Sequence, residues 1–167
     1  LEIAATCDVP LAIAVIPVPA SPSLFARLAR APRACVLQHG YAHRNHAPAG
    51  AKKSELGDER PAGTVLAELA EGWALLAAAT RGQALPVLVP PWNRIGAGVQ
   101  GRLAEAGLAG LSTSKPRARA RLAGGTVQAN VHVDPIDWPA QRRGDDAFAG
   151  EGPTLAAAVR HLRARRT

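Results

Sequence analysis

Short apolar runs of strand length alternate along this chain with longer segments whose apolar residues recur every three or four positions. That alternation is the pattern of βα units built around a parallel sheet, and it excludes most other fold classes. Residues 11–16, 34–37, 86–89, 109–112 and 126–133 are the candidate strands. Between the first two, Ser21 followed by Pro22 reads as an N-cap with proline at the first helical position. Thr64 is a candidate cap for a second helix, in which Leu66, Leu69, Trp73 and Leu76 share one face. Residues 96–107 read as a third helix ending on Gly107, and about 154–165 as a last one with Leu155, Val159 and Leu162 as its buried stripe.

The 167 residues suit a single domain spanning 1–167, with no internal repeat and no true linker. The chain begins at Leu1 and contains no methionine, so a fragment is expected. No run approaches the roughly twenty apolar residues of a membrane span, and no membrane partner is expected. Cys7 and Cys35 read as two buried, reduced thiols. The compartment stays open, with the cytoplasm favoured. The net charge of +7 comes mainly from arginine, in the run Lys115, Arg117, Arg119, Arg121 and in Arg160, Arg163, Arg165 and Arg166 at the end. This balance favours anionic partners. No aromatic residue is interleaved with the basic runs to stack on bases, so nucleic acid is not an expected partner.

Three of the five histidines fall within "LQHGYAHRNH". His39 and His43 are four apart, so a helix or tight turn starting there aims both imidazoles at one point, an arrangement that suits a divalent metal. A solvated face or a structural role gives the same spacing; the position at the end of a candidate strand favours the metal. The metalloprotease signatures H-E-x-x-H and H-x-x-E-H are excluded, because Gly40, Tyr41 and Ala42 fill the interior and supply no glutamate base. His46 reads as a loop or substrate-facing residue rather than a third ligand.

Other signals are weaker. Gly96, Gly98 and Gly101 spell G-x-G-x-x-G, but "PPWNRI" separates them from the strand and no acidic residue follows at the right distance, so they read as a helix start. Lys52, Ser54 and Glu55 follow the histidines and read equally as substrate contacts or as a solvated loop. His132 and Asp134 share a strand face, with His132 a site residue or a core histidine; His161, among arginines, reads as a surface residue.

"HGYAH" resembles the H-[S/T]-x-x-H metal motif of the polysaccharide deacetylases, the carbohydrate esterase family four with the NodB homology fold. "VPPWNRI" stands where that family carries its R-x-P-[FY] groove motif, and "VDPIDW" resembles its Asp-Trp motif. The three occur in the family's order, each after a candidate strand, and the resemblance covers nearly the whole chain. It implies a distorted (β/α) barrel of about seven strands, incomplete at both ends here, with one divalent metal at the C-terminal strand edge. Zinc comes first, and cobalt, nickel or iron also suit such ligands. His39 and His43 would be metal ligands. Pro91 and Trp92 would form one groove wall beside Asn93 and Arg94, the Trp92 backbone N–H donating to an oxyanion. Asp137 and Trp138 would form the other, with Asp137 tuning a catalytic histidine and His132 facing substrate.

The implied activity is metal-dependent removal of N-acetyl groups from a carbohydrate or related small amide. The chain departs from the pattern in four places. The family's Asp-Asp motif would precede Leu1, and its Leu-x-His strand would follow Thr167. Val89 and Pro90 replace the motif arginine, a role Arg94 is placed to take, and Gly40 replaces a Ser or Thr whose hydroxyl would hold the loop. This chain alone is therefore expected to be inactive. The alternative is a catalytically silent α/β carbohydrate-binding module with a degenerate metal site.

Overall fold

The computed structural model describes residues 1–114 and 116–164. Lys115 of the basic run, and Arg165 and Arg166 at the end of the expected last helix, lie outside the described residues. The chain forms two compact units.

The first, Leu1–Thr113 with Arg117–Ala129, holds a five-stranded parallel sheet in the order β1-β2-β3-β4-β5. The strands are β1 Leu11–Val15, β2 Ala34–Gln38, β3 Ala84–Leu88, β4 Gly110–Leu111 and β5 Val127–Gln128. The expected α/β class with a parallel sheet is what the chain builds, and all five strands fall on candidate runs. β3 starts earlier than expected, at Ala84, so that Pro86 lies within the strand rather than at its start. Proline has no N–H for the ladder, and the register shifts there, with Val36 opposite Ala84 but Gln38 opposite Leu88.

Helices and turns of this unit pack beside the sheet. The short α1, Glu2–Thr6, precedes β1. α2, Pro22–Leu28, starts as expected, with the Ser21 hydroxyl accepting from the Leu24 N–H at 3.3 Å. α3, Ala62–Thr80, starts earlier than Thr64: Pro61 takes the cap position and its carbonyl accepts from Thr64 and Val65. Its stripe Leu66, Leu69 and Leu76 is buried as expected, with Trp73 half-buried. Although α3 has the length and mean hydropathy of a membrane span, that stripe lies in the protein core. The expected helix over 96–107 divides at Gly101 into α4, Ala97–Gln100, and a 3-10 turn, Leu103–Ala106, which Gly107 ends at φ 75°. One core joins α3 to β3, β4 and these turns through Leu56, Val65, Leu69, Leu88, Leu103 and Leu111; a second joins β1, β2 and α2 to α3 through Val15, Leu28, Val36 and Leu76.

The second unit comprises Ser114, Pro116 and the chain from Asn130. It carries α5, Trp138–Arg143, and α6, Glu151–Ala164. The α6 stripe corrects an expectation: Leu155 and Leu162 are about two-thirds exposed, at 66% and 65%. A helical period identifies a face; it does not supply what covers it. Cys7 is exposed rather than buried, because it ends α1, a helix with no buried residue, while Cys35 is half-buried.

Candidate metal centre

β2 is the strand that delivers the site. At its end the His39 N–H donates to the Val15 carbonyl at 2.8 Å, and the Val89 N–H donates to the Gln38 carbonyl at 2.8 Å. His39 thus sits where the C-terminal ends of β1, β2 and β3 meet, the edge at which parallel α/β sheets assemble sites. Its Nδ1 lies 2.8 Å from the Val89 carbonyl oxygen. A carbonyl only accepts, so Nδ1 carries the hydrogen and Nε2 of the neutral ring keeps its lone pair. Burial is the main cause holding the His39 pKa below its ordinary value, and the nearby His43 adds to it. The Val89 hydrogen bond and the Glu55 charge work in the opposite direction.

The four-residue spacing is closed by a tight turn, one of the two geometries expected. Gly40 and His43 both take left-handed backbone, at φ 63° and 54°. The turn brings the two imidazoles to a centroid separation of 5.1 Å with their planes tilted by 39°. Beside His43 stands the Trp92 indole, 4.3 Å between centroids. Trp92 and Asn93 are themselves left-handed, at φ 52° and 57°, in a turn closed by Asn93 N–H to Pro90 and Arg94 N–H to Pro91. Pro91 is buried against Gly40, where an added Cβ would lie 2.5 Å from Pro91 Cγ. His39, His43, Pro91 and Trp92 are therefore brought together.

Glu55 holds this arrangement from below. It is 1% exposed, neither a solvated loop residue nor an open substrate contact. Its Oε2 accepts from the Tyr41 N–H at 3.1 Å, and its Oε1 from Ala42 at 2.8 Å and Arg44 at 3.2 Å. Arg60, gripped by both oxygens of Glu68 on α3 at 2.8 and 2.5 Å, lies close enough to feel the Glu55 charge. Ser54 is buried and Lys52 exposed. Arg94 braces the same segment, donating to the Lys53 carbonyl at 2.7 Å. Asp58 accepts from Ala97 and Gly98 at the start of α4, which accounts for Gly96: a Cβ there would lie 2.3 Å from Asp58 Oδ1. The His46 N–H donates to the Ser54 carbonyl at 2.8 Å.

The other sequence candidates belong to the second unit. Asp137 is the N-cap of α5, its Oδ1 accepting from the Ala140 N–H at 3.0 Å. Trp138 is half-exposed and donates from Nε1 to Asp134 Oδ2 at 2.7 Å. His132 stacks on His161 with centroids 3.9 Å apart, so His161 is half-buried rather than a free surface residue.

No family model and no curated protein matches the chain. A solved structure does: a protein from Mycobacterium smegmatis assigned as a polysaccharide deacetylase, with a TM-score of 0.60 over 82% of this chain and 44% of that one. This chain has a deacetylase-like fold. It spans less than half the length of that structure, and at 20% identity the likeness is one of fold.

Two imidazoles make a partial donor set. Among the described residues no third His, Cys, Asp or Glu joins them in a group suited to a metal ion. Glu55 is turned to backbone N–H groups instead.

Proposed function

We propose that this chain carries the histidine half of a metal-dependent site that hydrolyses N-acetyl groups on a carbohydrate or related small amide. The observation that supports this most is the 5.1 Å separation of the His39 and His43 rings. Two imidazoles bound to one tetrahedral zinc, at Zn–N distances of about 2.0–2.1 Å, stand roughly 5 Å apart between centroids. The His39 Nδ1–H bond to the Val89 carbonyl is the outer contact that metal-ligating histidines make, leaving Nε2 as donor. His39 and His43 would hold the ion, zinc first. When bound, such an ion supplies Lewis acidity toward an amide carbonyl and makes water acidic enough to ionise near neutral pH.

The chain's own residues have defined parts in this reading. Trp92 buttresses the His43 ring and, backed by the buried Pro91, offers an apolar wall for a sugar face or an acetyl methyl. The Trp92 backbone N–H is the candidate oxyanion donor. Arg94 braces the loop that carries Glu55. Asn93 would flank that wall. Turnover needs a third ligand, a base and an acid. An Asp-Asp strand pairing with β1, which is an edge strand among the described residues, and a histidine-bearing strand beyond β5 would complete a barrel of about seven strands and the site. Residues 1–167 would then be part of one such domain.

A second reading, a catalytically silent carbohydrate-binding module, is favoured by the lack of a third donor among the described residues and by the use of Asp137 as a helix cap. Metal analysis and acetate release from N-acetylglucosamine oligomers, on the full-length parent and on His39→Ala, separate the two. The hydrolase predicts bound zinc and acetate release, both lost in the variant. Metal content unchanged in His39→Ala refutes the site; sugar binding without acetate release favours the module.

A further inference from the structure

We propose that Glu55 is the positioning residue of the histidine pair, its buried carboxylate fixing the turn that brings His43 to His39. The inference deepens the hydrolase reading, but its geometry stands apart from any metal. L residues disfavour the left-handed backbone that His43 adopts, so the turn needs an external hold. Three donors of that turn, from Tyr41, Ala42 and Arg44, converge on the two Glu55 oxygens at 2.8–3.2 Å. Backbone N–H groups gathered in this way form an anion-binding concavity. A carboxylate that is 1% exposed is costly unless its charge is met. Here three N–H groups and the nearby Arg60 meet it.

Gly40 completes the fit. A Cβ at that position would lie 1.9 Å from Glu55 Oε2, so the missing side chain is the space the carboxylate fills. The hydroxyl that the resemblance expects beside the first histidine is thus replaced by an acceptor fifteen residues further along the chain, on a segment tied to α4 and α3 through Asp58 and Arg60. The distance between the two imidazoles is set by that segment as much as by β2.

The test uses Glu55→Ala and the milder Glu55→Gln, which keeps one carbonyl acceptor for the turn. His43 ring protons lie against the Trp92 indole, so their NMR positions report the turn without any metal, and Co2+ titration reports the pair as a ligand. Glu55→Ala should move the His43 signals toward free-histidine positions and weaken Co2+ binding about tenfold or more. Glu55→Gln should fall between, and the methyl signals of Leu88 and Leu111 should stay in place in both. Unmoved His43 signals in both variants would overturn the proposal, as would loss of the core methyl signals in step with His43, which marks a general structural role. A wild-type protein that binds no Co2+ defeats the metal reading alone, because the His43 signals still decide the role of Glu55.

Discussion

Gly40→Ala asks the fold for space it does not have. The new Cβ would stand 1.9 Å from Glu55 Oε2, 2.5 Å from Pro91 Cγ and 2.9 Å from Pro91 Cδ, on a backbone at φ 63°. Left-handed backbone costs an L residue about 1–2 kcal/mol. Forcing a methyl group against the buried Pro91 ring adds about 1–3 kcal/mol. Displacing Glu55 removes hydrogen bonds to a charged acceptor, each contributing about 1.5–3 kcal/mol. Even at the lower limits, with one of the three bonds lost, the variant should be destabilised by about 3.5 kcal/mol, a large share of the roughly 5–15 kcal/mol that holds a domain folded. Urea unfolding followed by tryptophan fluorescence measures this directly, since Trp92 stands beside the turn. Gly63→Ala is the control of opposite sign. Gly63 lies in the first turn of α3 with nothing within 4 Å of its added Cβ, so it should be neutral or stabilising by up to about 1 kcal/mol. A Gly40→Ala protein within about 1 kcal/mol of wild type, with His43 signals unchanged, would refute the packing argument around Glu55.

Burial holds the His39 pKa below the 6.5 of a free imidazole, so the unfolded chain takes up the proton first as pH falls. With chelator present, stability should be level above about pH 7 and decline as pH drops below 6.5 toward the depressed folded value. Thermal melts of wild type and His39→Gln from pH 8 to 5 check this; a wild-type decline no steeper than the variant's counts against a buried neutral ring. Asp58→Ala should cost about 1 kcal/mol by removing the acceptor at the start of α4, read as a shift in the urea midpoint, with Asp58→Asn losing less.

The parallel sheet is legible in the sequence because its strands are short apolar runs separated by helical periods, a pattern that tertiary context rarely reverses. Ser21-Pro22 and the Leu66-Leu69-Leu76 stripe are legible for the same reason, each being a local signal with a local cause. Where local signals compete, sequence reasoning loses. Pro86 reads as the start of its strand, yet β3 begins at Ala84 and the ladder shifts register around the missing Pro86 N–H. Thr64 is a better capping residue than Pro61 by side chain, yet the fixed φ of Pro61 starts the helix one turn earlier. Leu155 and Leu162 have the period of a buried stripe, and period alone is silent about a covering surface.

The site divides along the same line. His39, His43, Pro91 and Trp92 are legible because each follows a strand and each is a chemically distinctive side chain. Glu55 is not, because its partners are the backbone N–H groups of Tyr41, Ala42 and Arg44, which every non-proline residue carries and no residue type announces. The one trace it leaves is Gly40. By sequence, that glycine reads as a hydroxyl lost from between two ligands. In the fold it is the room made for a carboxylate, since any side chain there would collide with Glu55. Losing the hydroxyl and gaining the acid are then a single change in how the histidine turn is held, which is why Gly40→Ala and Glu55→Ala should disturb the same His43 signals by opposite routes.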